Sequence, residues 1–153
     1  MALFLDTGVL GYVTHPRVAV AAPCHQWLME CVAAGSMICV PEIADYELRR
    51  SLIRISSQNS INKLNSLSQD VAQYVPLTTD IMREAARFWA QMRQQQMPMA
   101  PPDALDGDVI LAAQALGFAA SAGQTVIVVT TNVGDLSRLT DARRWEDIPV
   151  GRY

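Results

Sequence analysis

Four carboxylates stand where chemistry could gather: Asp6 in MALFLDTGVL, Glu47 in PEIADYELRRSL, Asp108 in DVILAAQA and Asp135 in VTTNVGDL. Asp6 is the oddest of them, because the run Ala-Leu-Phe-Leu before it is as apolar as a buried strand. A charge at the edge of an apolar core is costly unless something pairs with it. Several carboxylates in one pocket also repel each other, so the cluster is tolerable only if a cation neutralises them or some stay protonated. Hard oxygen ligands select Mg²⁺ or Mn²⁺ over zinc, and Mg²⁺ typically keeps several waters and takes phosphate oxygens of a substrate. The chemistry this points to is phosphodiester hydrolysis by a metal-activated water.

The elements that must position these acids can be read from hydrophobic periodicity. Four short apolar runs, 2–6, 36–40, 74–77 and 125–130, read as buried strands. Helical patterns cover 42–55, where Ile43, Tyr46, Leu48, Leu52 and Ile55 share a face, and 80–96, where Ile81, Ala85, Trp89 and Met92 do. Pro41 suits a start for the first, and Thr78 or Thr79 can cap the second. A third helix over 106–122 is apolar nearly all round, with Gly117 and Gly123 as places to bend or end. Continuous apolar strands separated by helices predict an α/β fold, a three-layer α/β/α domain spanning 1–153 with a central parallel sheet of four or five strands. In such folds the active crevice lies at the carboxyl ends of the strands. Asp6 ends the first strand, Glu47 lies in the second turn after the second, Asp108 opens the buried helix and Asp135 follows the fourth strand.

Composition narrows the alternatives. Half of the 153 residues are hydrophobic, enough for one good core, and no apolar run approaches the ~18 residues of a membrane span. The N-terminus has no basic, signal-like start, so the chain reads as soluble and cytoplasmic. Cys24, Cys31 and Cys39 lack CxxC spacing and read as core thiols. The net charge of -3 argues against gripping nucleic acid by overall charge, leaving Arg49, Arg50, Arg54 and Lys63, or Arg138, Arg143 and Arg144, as local basic rims or solvated faces. His15 and His25 have no metal spacing, and no GxGxxG, Walker or GxSxG motif occurs.

With these residues in place, the sequence resembles the PIN-domain family, most closely its small VapC-like members, the ribonuclease toxins of bacterial toxin-antitoxin pairs. The resemblance rests on LDTGVL at 5–10, PEIADYELRRSL at 41–52, DVILAAQA at 108–115 and VTTNVGDL at 129–136, in that order. It implies a metal-dependent endoribonuclease in which Asp6, Glu47, Asp108 and Asp135 form a catalytic pocket binding Mg²⁺ or Mn²⁺. Thr7 would sit beside the pocket, Asn132 would shape the loop holding Asp135, and Thr130 would end the strand beneath. Arg49 and Arg50 are candidates for a rim that holds the RNA. The resemblance further implies a cognate antitoxin partner and a homodimer, for which Leu64 and Leu67 offer apolar surface. Two departures stand out. Gly8 follows Thr7 where a serine-like residue is usual, and Asp106 precedes Asp108 by two residues, well placed as a helix cap and able to approach the metal. Two readings compete: a non-catalytic PIN-like module that binds RNA or protein, and a haloacid-dehalogenase-like phosphatase. The latter requires an acid where Gly8 stands and a lysine beyond Thr131, where there is none.

Overall fold

The computed structural model describes residues 1–95 and 101–151, with backbone alone at 102–104. Strands β1 (Ala2–Leu5), β2 (Met37–Pro41), β3 (Gln73–Val75), β4 (Val126–Val129) and β5 (Ala142–Arg143) form one parallel sheet in the order β3-β2-β1-β4-β5. Helices α1 (Thr7–Val13), α2 (Val18–Ala33), α3 (Glu42–Arg54), α4 (Gln58–Ser66), α5 (Thr79–Gln94) and α6 (Pro102–Ala122) cover it. This is the three-layer α/β/α architecture that the buried strands predict.

Central β1 explains why the strands are apolar without alternation. Leu3 and Leu5 pack on the face covered by α1 to α4, whereas Ala2 and Phe4 pack on the other face with Leu111, Ala112 and Ala115 of α6. All four β1 residues are fully buried, since a parallel sheet covered on both faces offers no wet side. Helix α6 is buried through its middle, over residues 111–115, while Leu116 and residues 120–122 are exposed. Its Leu105, Val109 and Ala113 meet Ala85 and Met92 of α5, so the helix lies between the sheet and α5. The stretch Leu105–Ala122 is long and apolar enough to cross a membrane by length and composition, but here that character serves the core.

Local chemistry sets the ends. Pro101 caps α6 and Pro102 opens it, where its missing N–H costs nothing, and Gly123 closes it in the left-handed region at φ 61°. The helix therefore starts four residues earlier than periodicity suggested, which corrects two expectations: Asp106 is not its cap, and Asp108 lies in the second turn instead of opening the helix. Of the proline-rich lead-in, residues 98–100 lie outside the described residues. Thr78 caps α5 by accepting the Ile81 N–H at 3.2 Å.

Strand β2 runs straight into α3 through Pro41, which has no side chain to cap the helix. The substitute comes from across the molecule. Fully buried Gln114 of α6 accepts the Ile43 N–H at 3.3 Å and donates to the Val75 carbonyl at 2.7 Å. One amide thus satisfies a free N–H of the first turn of α3 and ties α6 to both α3 and β3.

Other expectations need correction. Tyr46 and Ile55 do not share the buried face of α3, which is made by Ile43, Ala44, Leu48 and Leu52; both are exposed, together with Ile53. Leu64 is fully buried and Leu67 packs against the same core, so neither offers dimer surface. Helices α1 and α2 were not delimited from sequence, because α1 is short with two glycines and α2 carries Pro23 in its second turn. The three cysteines are buried, and burial pushes the Cys24 and Cys39 thiols up to about 12, leaving those two as apolar filler.

Replacing Gln114 by Leu keeps most of the volume but strands the Ile43 N–H and the Val75 carbonyl. We expect a loss of about 2–3 kcal/mol in urea unfolding, with an unchanged m-value.

Candidate active site

Asp6 has two local partners. It caps α1, with Oδ1 accepting the Thr7 N–H at 2.7 Å, while Oδ2 accepts the hydroxyl of fully buried Thr130 at 2.7 Å. Thr130 lies immediately beyond β4, and its hydroxyl is aimed by the Asn132 N–H, which donates to it at 3.0 Å. Neighbouring strand ends therefore hold one carboxylate between them, as the pairing of Leu5 with Val129 requires.

The other three acids converge on this carboxylate. Asp108 is pushed up to about 7, first by burial and then by the charges of Asp6, Asp135 and Glu47. Burial and Asp6 likewise raise Glu47, with Arg50 opposing them. The four acids singled out in the sequence thus lie within electrostatic reach of one another, although 129 positions separate Asp6 from Asp135 in the chain. Asp135 opens a 3₁₀ turn, Asp135–Arg138, and Arg138 faces it at 3.4 Å. Asp106 does not join them. Two positions before Asp108 it points elsewhere on the helix, exposed beside Met82 and Trp89 of α5.

Two glycines shape the pocket by close approach. A Cβ on Gly107 would lie 2.7 Å from Glu47 Oε1, so the glycine leaves room for that carboxylate in its present position against α6. A Cβ on Gly8 would lie 2.5 Å from Thr131 Oγ1. The hydroxyl absent at position 8 is thereby accounted for: Thr131, from the loop after β4, occupies the space a serine-like residue would need. Sequence reasoning missed both Gly107 and Thr131, and nothing in spacing or composition signals contacts between residues so far apart in the chain. The Thr7 hydroxyl, beside Asp6, is buried with no hydrogen-bond partner among the described residues.

Of the two arginines suggested for the rim, only Arg50 faces the pocket. Its guanidinium lies 5.1 Å from the Tyr46 ring centroid and lowers the proton affinity of Glu47. Arg49 is committed elsewhere, with Nε and Nη2 on buried Asp45 at 2.9 and 2.8 Å and Nη1 on Asn65 at 3.0 Å. The bidentate pair lies within α3 and fixes the guanidinium, whose bond to Asn65 ties α3 to α4.

The donor set suits a hard cation: four carboxylates, one of them carrying the proton affinity that crowding imposes, with a partnerless hydroxyl alongside. Among the described residues no three acids close into a cage.

No family model and no curated protein matches the sequence. Solved structures do match the fold. A chain of VapBC2 from Rickettsia felis, in a structure bound to a DNA fragment from its promoter, superposes with a TM-score of 0.66 at 13% identity, covering 95% of this chain and 99% of that one. VapBC-1 from nontypeable Haemophilus influenzae gives 0.66 at 19% identity, covering 96% and 100%. FitAcB from Neisseria gonorrhoeae gives 0.62 at 15% identity, covering 95% and 99%. At these identities the likeness defines the fold.

Two outcomes follow from the geometry. Without divalent cation, the folded chain holds a proton on Asp108 that the unfolded chain has lost over the window between 3.8 and about 7. Stability therefore falls as pH rises through that window. Asp108→Asn should match wild type near the bottom of it and exceed wild type at about pH 8 by on the order of 1–2 kcal/mol, discounted for solvent screening at a half-exposed site. Urea titrations at both pH values read the difference. Gly8→Ala should cost about 1–3 kcal/mol by overpacking, and most of that cost should disappear in a Thr131→Ala background, as a double-mutant cycle would measure.

Proposed function

We propose that this chain is a metal-dependent endoribonuclease, the toxin of a toxin-antitoxin pair, acting in the cytoplasm. The observation that carries the reading is the convergence of Asp6, Glu47, Asp108 and Asp135 at the carboxyl edge of a parallel sheet, where ligands bind in open α/β folds. The four motifs that resemble VapC-like toxins contain these same acids, and two of the structural neighbours carry the VapBC name. In this reading a cognate antitoxin is a partner, and the homodimer that the resemblance implies would cover the exposed apolar side chains of α3, Tyr46, Ile53 and Ile55.

Asp6, Asp108, Glu47 and Asp135 would hold Mg²⁺ or Mn²⁺ among them. When bound, the ion supplies charge neutralisation at the phosphate and a lowered pKa for the attacking water. The residues of the chain do the rest. Thr130 holds the Asp6 carboxylate in one orientation, so that its charge is fixed before substrate arrives. Burial and the neighbouring acids raise the proton affinity of Asp108 and of Glu47, and a bound cation would oppose that rise and leave both as oxygen ligands. Arg50 offers a cation at the α3 side of the pocket, where an RNA phosphate would otherwise meet only acids.

The test is cleavage of structured and single-stranded RNA by purified protein with EDTA, Mg²⁺ or Mn²⁺, comparing wild type with Asp6→Asn. The expected result is metal-dependent cutting that falls at least 100-fold in the variant, in line with the usual effect of losing a group that stabilises the transition state, ~10²–10³. Equal activity in both proteins, or none with any RNA, would remove the nuclease reading.

A further inference from the structure

Three arginines follow the acidic loop, and the structure separates their fates. Arg143 is neutralised by Asp141, with Nε and Nη2 on its two carboxylate oxygens at 2.8 and 2.7 Å. Arg138 faces Asp135. Arg144 is exposed, and among the described residues no carboxylate is paired with it; its Nη2 donates instead to the Thr131 carbonyl at 3.1 Å.

That bond continues a ladder. The Val128 N–H donates to Asp141 O at 2.8 Å and the Thr130 N–H to Arg143 O at 2.9 Å, pairing β5 with β4 up to the residue whose hydroxyl holds Asp6. The Arg144 side chain adds one more rung, docking its guanidinium on the carbonyl of Thr131, the residue that packs against Gly8. One N–H face is used by this bond, and the rest of the fork remains for a ligand. In the order β3-β2-β1-β4-β5, Arg50 follows β2 and Arg144 follows β5, so the two cations stand on opposite flanks of Asp6 at the end of β1.

We propose that Arg144 is a substrate-binding residue that grips a phosphate of single-stranded RNA on the β5 side of the acid pocket, opposite Arg50, so that the strand crosses the carboxyl edge of the sheet. The assignment rests on the nuclease reading above. Its physical basis is that an acidic pocket repels a polyanion, and a strand can enter only if cations neutralise the phosphates next to the one being cut. Guanidinium suits this task because its planar fork binds phosphate oxygens in pairs.

The experiment measures binding of a fluorescein-labelled, mixed-sequence single-stranded RNA in an Asp6→Asn background, over a salt series, with Arg144→Ala and Arg143→Ala added separately. Arg144→Ala should weaken binding about five- to tenfold and make the log–log salt slope shallower by about 0.7, the effect of one lost phosphate contact on a single strand. Arg143→Ala should change both by much less, since Asp141 already neutralises it. In the cleaving protein Arg144→Ala should raise KM and leave kcat nearly unchanged. Thermal melts serve to show that both variants fold. An equal loss in the two variants would reduce the effect to bulk charge and overturn the assignment, as would an Arg144→Ala protein that binds like its parent while wild type still cuts RNA. If wild type neither binds nor cuts, the nuclease reading falls and Arg144 with it.

Discussion

Like charges held together away from water are the constraint on which the rest of this structure depends. Four carboxylates within mutual reach destabilise any chain that gathers them, and burial first, then the neighbouring charges, raise the proton affinities of Asp108 and Glu47. The surrounding fold holds them in spite of it. Central β1 is fully buried on both faces, so the position of Asp6 is set by packing and not by its own preference. Thr130 then spends its hydroxyl on that carboxylate, and Gly107 leaves the Glu47 carboxylate room beside α6.

The supporting contacts are few, and each ties an element that carries an acid to a neighbour. Gln114 joins the start of α3, the helix of Glu47, to α6, the helix of Asp108. Asp45 and Arg49 lock α3 against α4 one turn away. Thr131 against Gly8 wedges the loop of Asp135 onto the start of α1. A pocket whose components repel one another would relax if any of these were loose, because the apolar core alone is indifferent to small rotations of a helix about its own axis.

Legibility in the sequence divided along physical lines. The buried strands and the helices with one clear apolar stripe could be read, because burial on both faces and a 3.6-residue period leave a mark in residue types. The acids could be placed too, since strand ends in a parallel sheet share one edge. What escaped was set by contacts distant in sequence. Two residues, Ala142 and Arg143, form β5 only because β4 offers them carbonyls and N–H groups, and no pattern announces a strand that short. The early start of α6 depended on Pro101 and Pro102, which read as interruptions but act as a cap and a first turn. Arg49 looked like a free cation until Asp45, buried four residues earlier, claimed it. The glycine at position 8 looked like a missing hydroxyl, and only the three-dimensional neighbour shows it to be vacated space.

The hydrogen bond between Thr130 and Asp6 spans 124 residues. Synthesis proceeds from the N-terminus, so the first strand leaves the ribosome with its acid in place and must wait for β4 before it acquires either its second strand neighbour or the hydroxyl that orients the carboxylate. Strand β5, which completes the sheet, comes later still. Loop closures of this length make such sheets slow to assemble compared with helical bundles. The pocket is thus among the last features of the molecule to exist, and a nascent chain carries no more than two of its four acids until Asp108 is added, with no organised site to show for them.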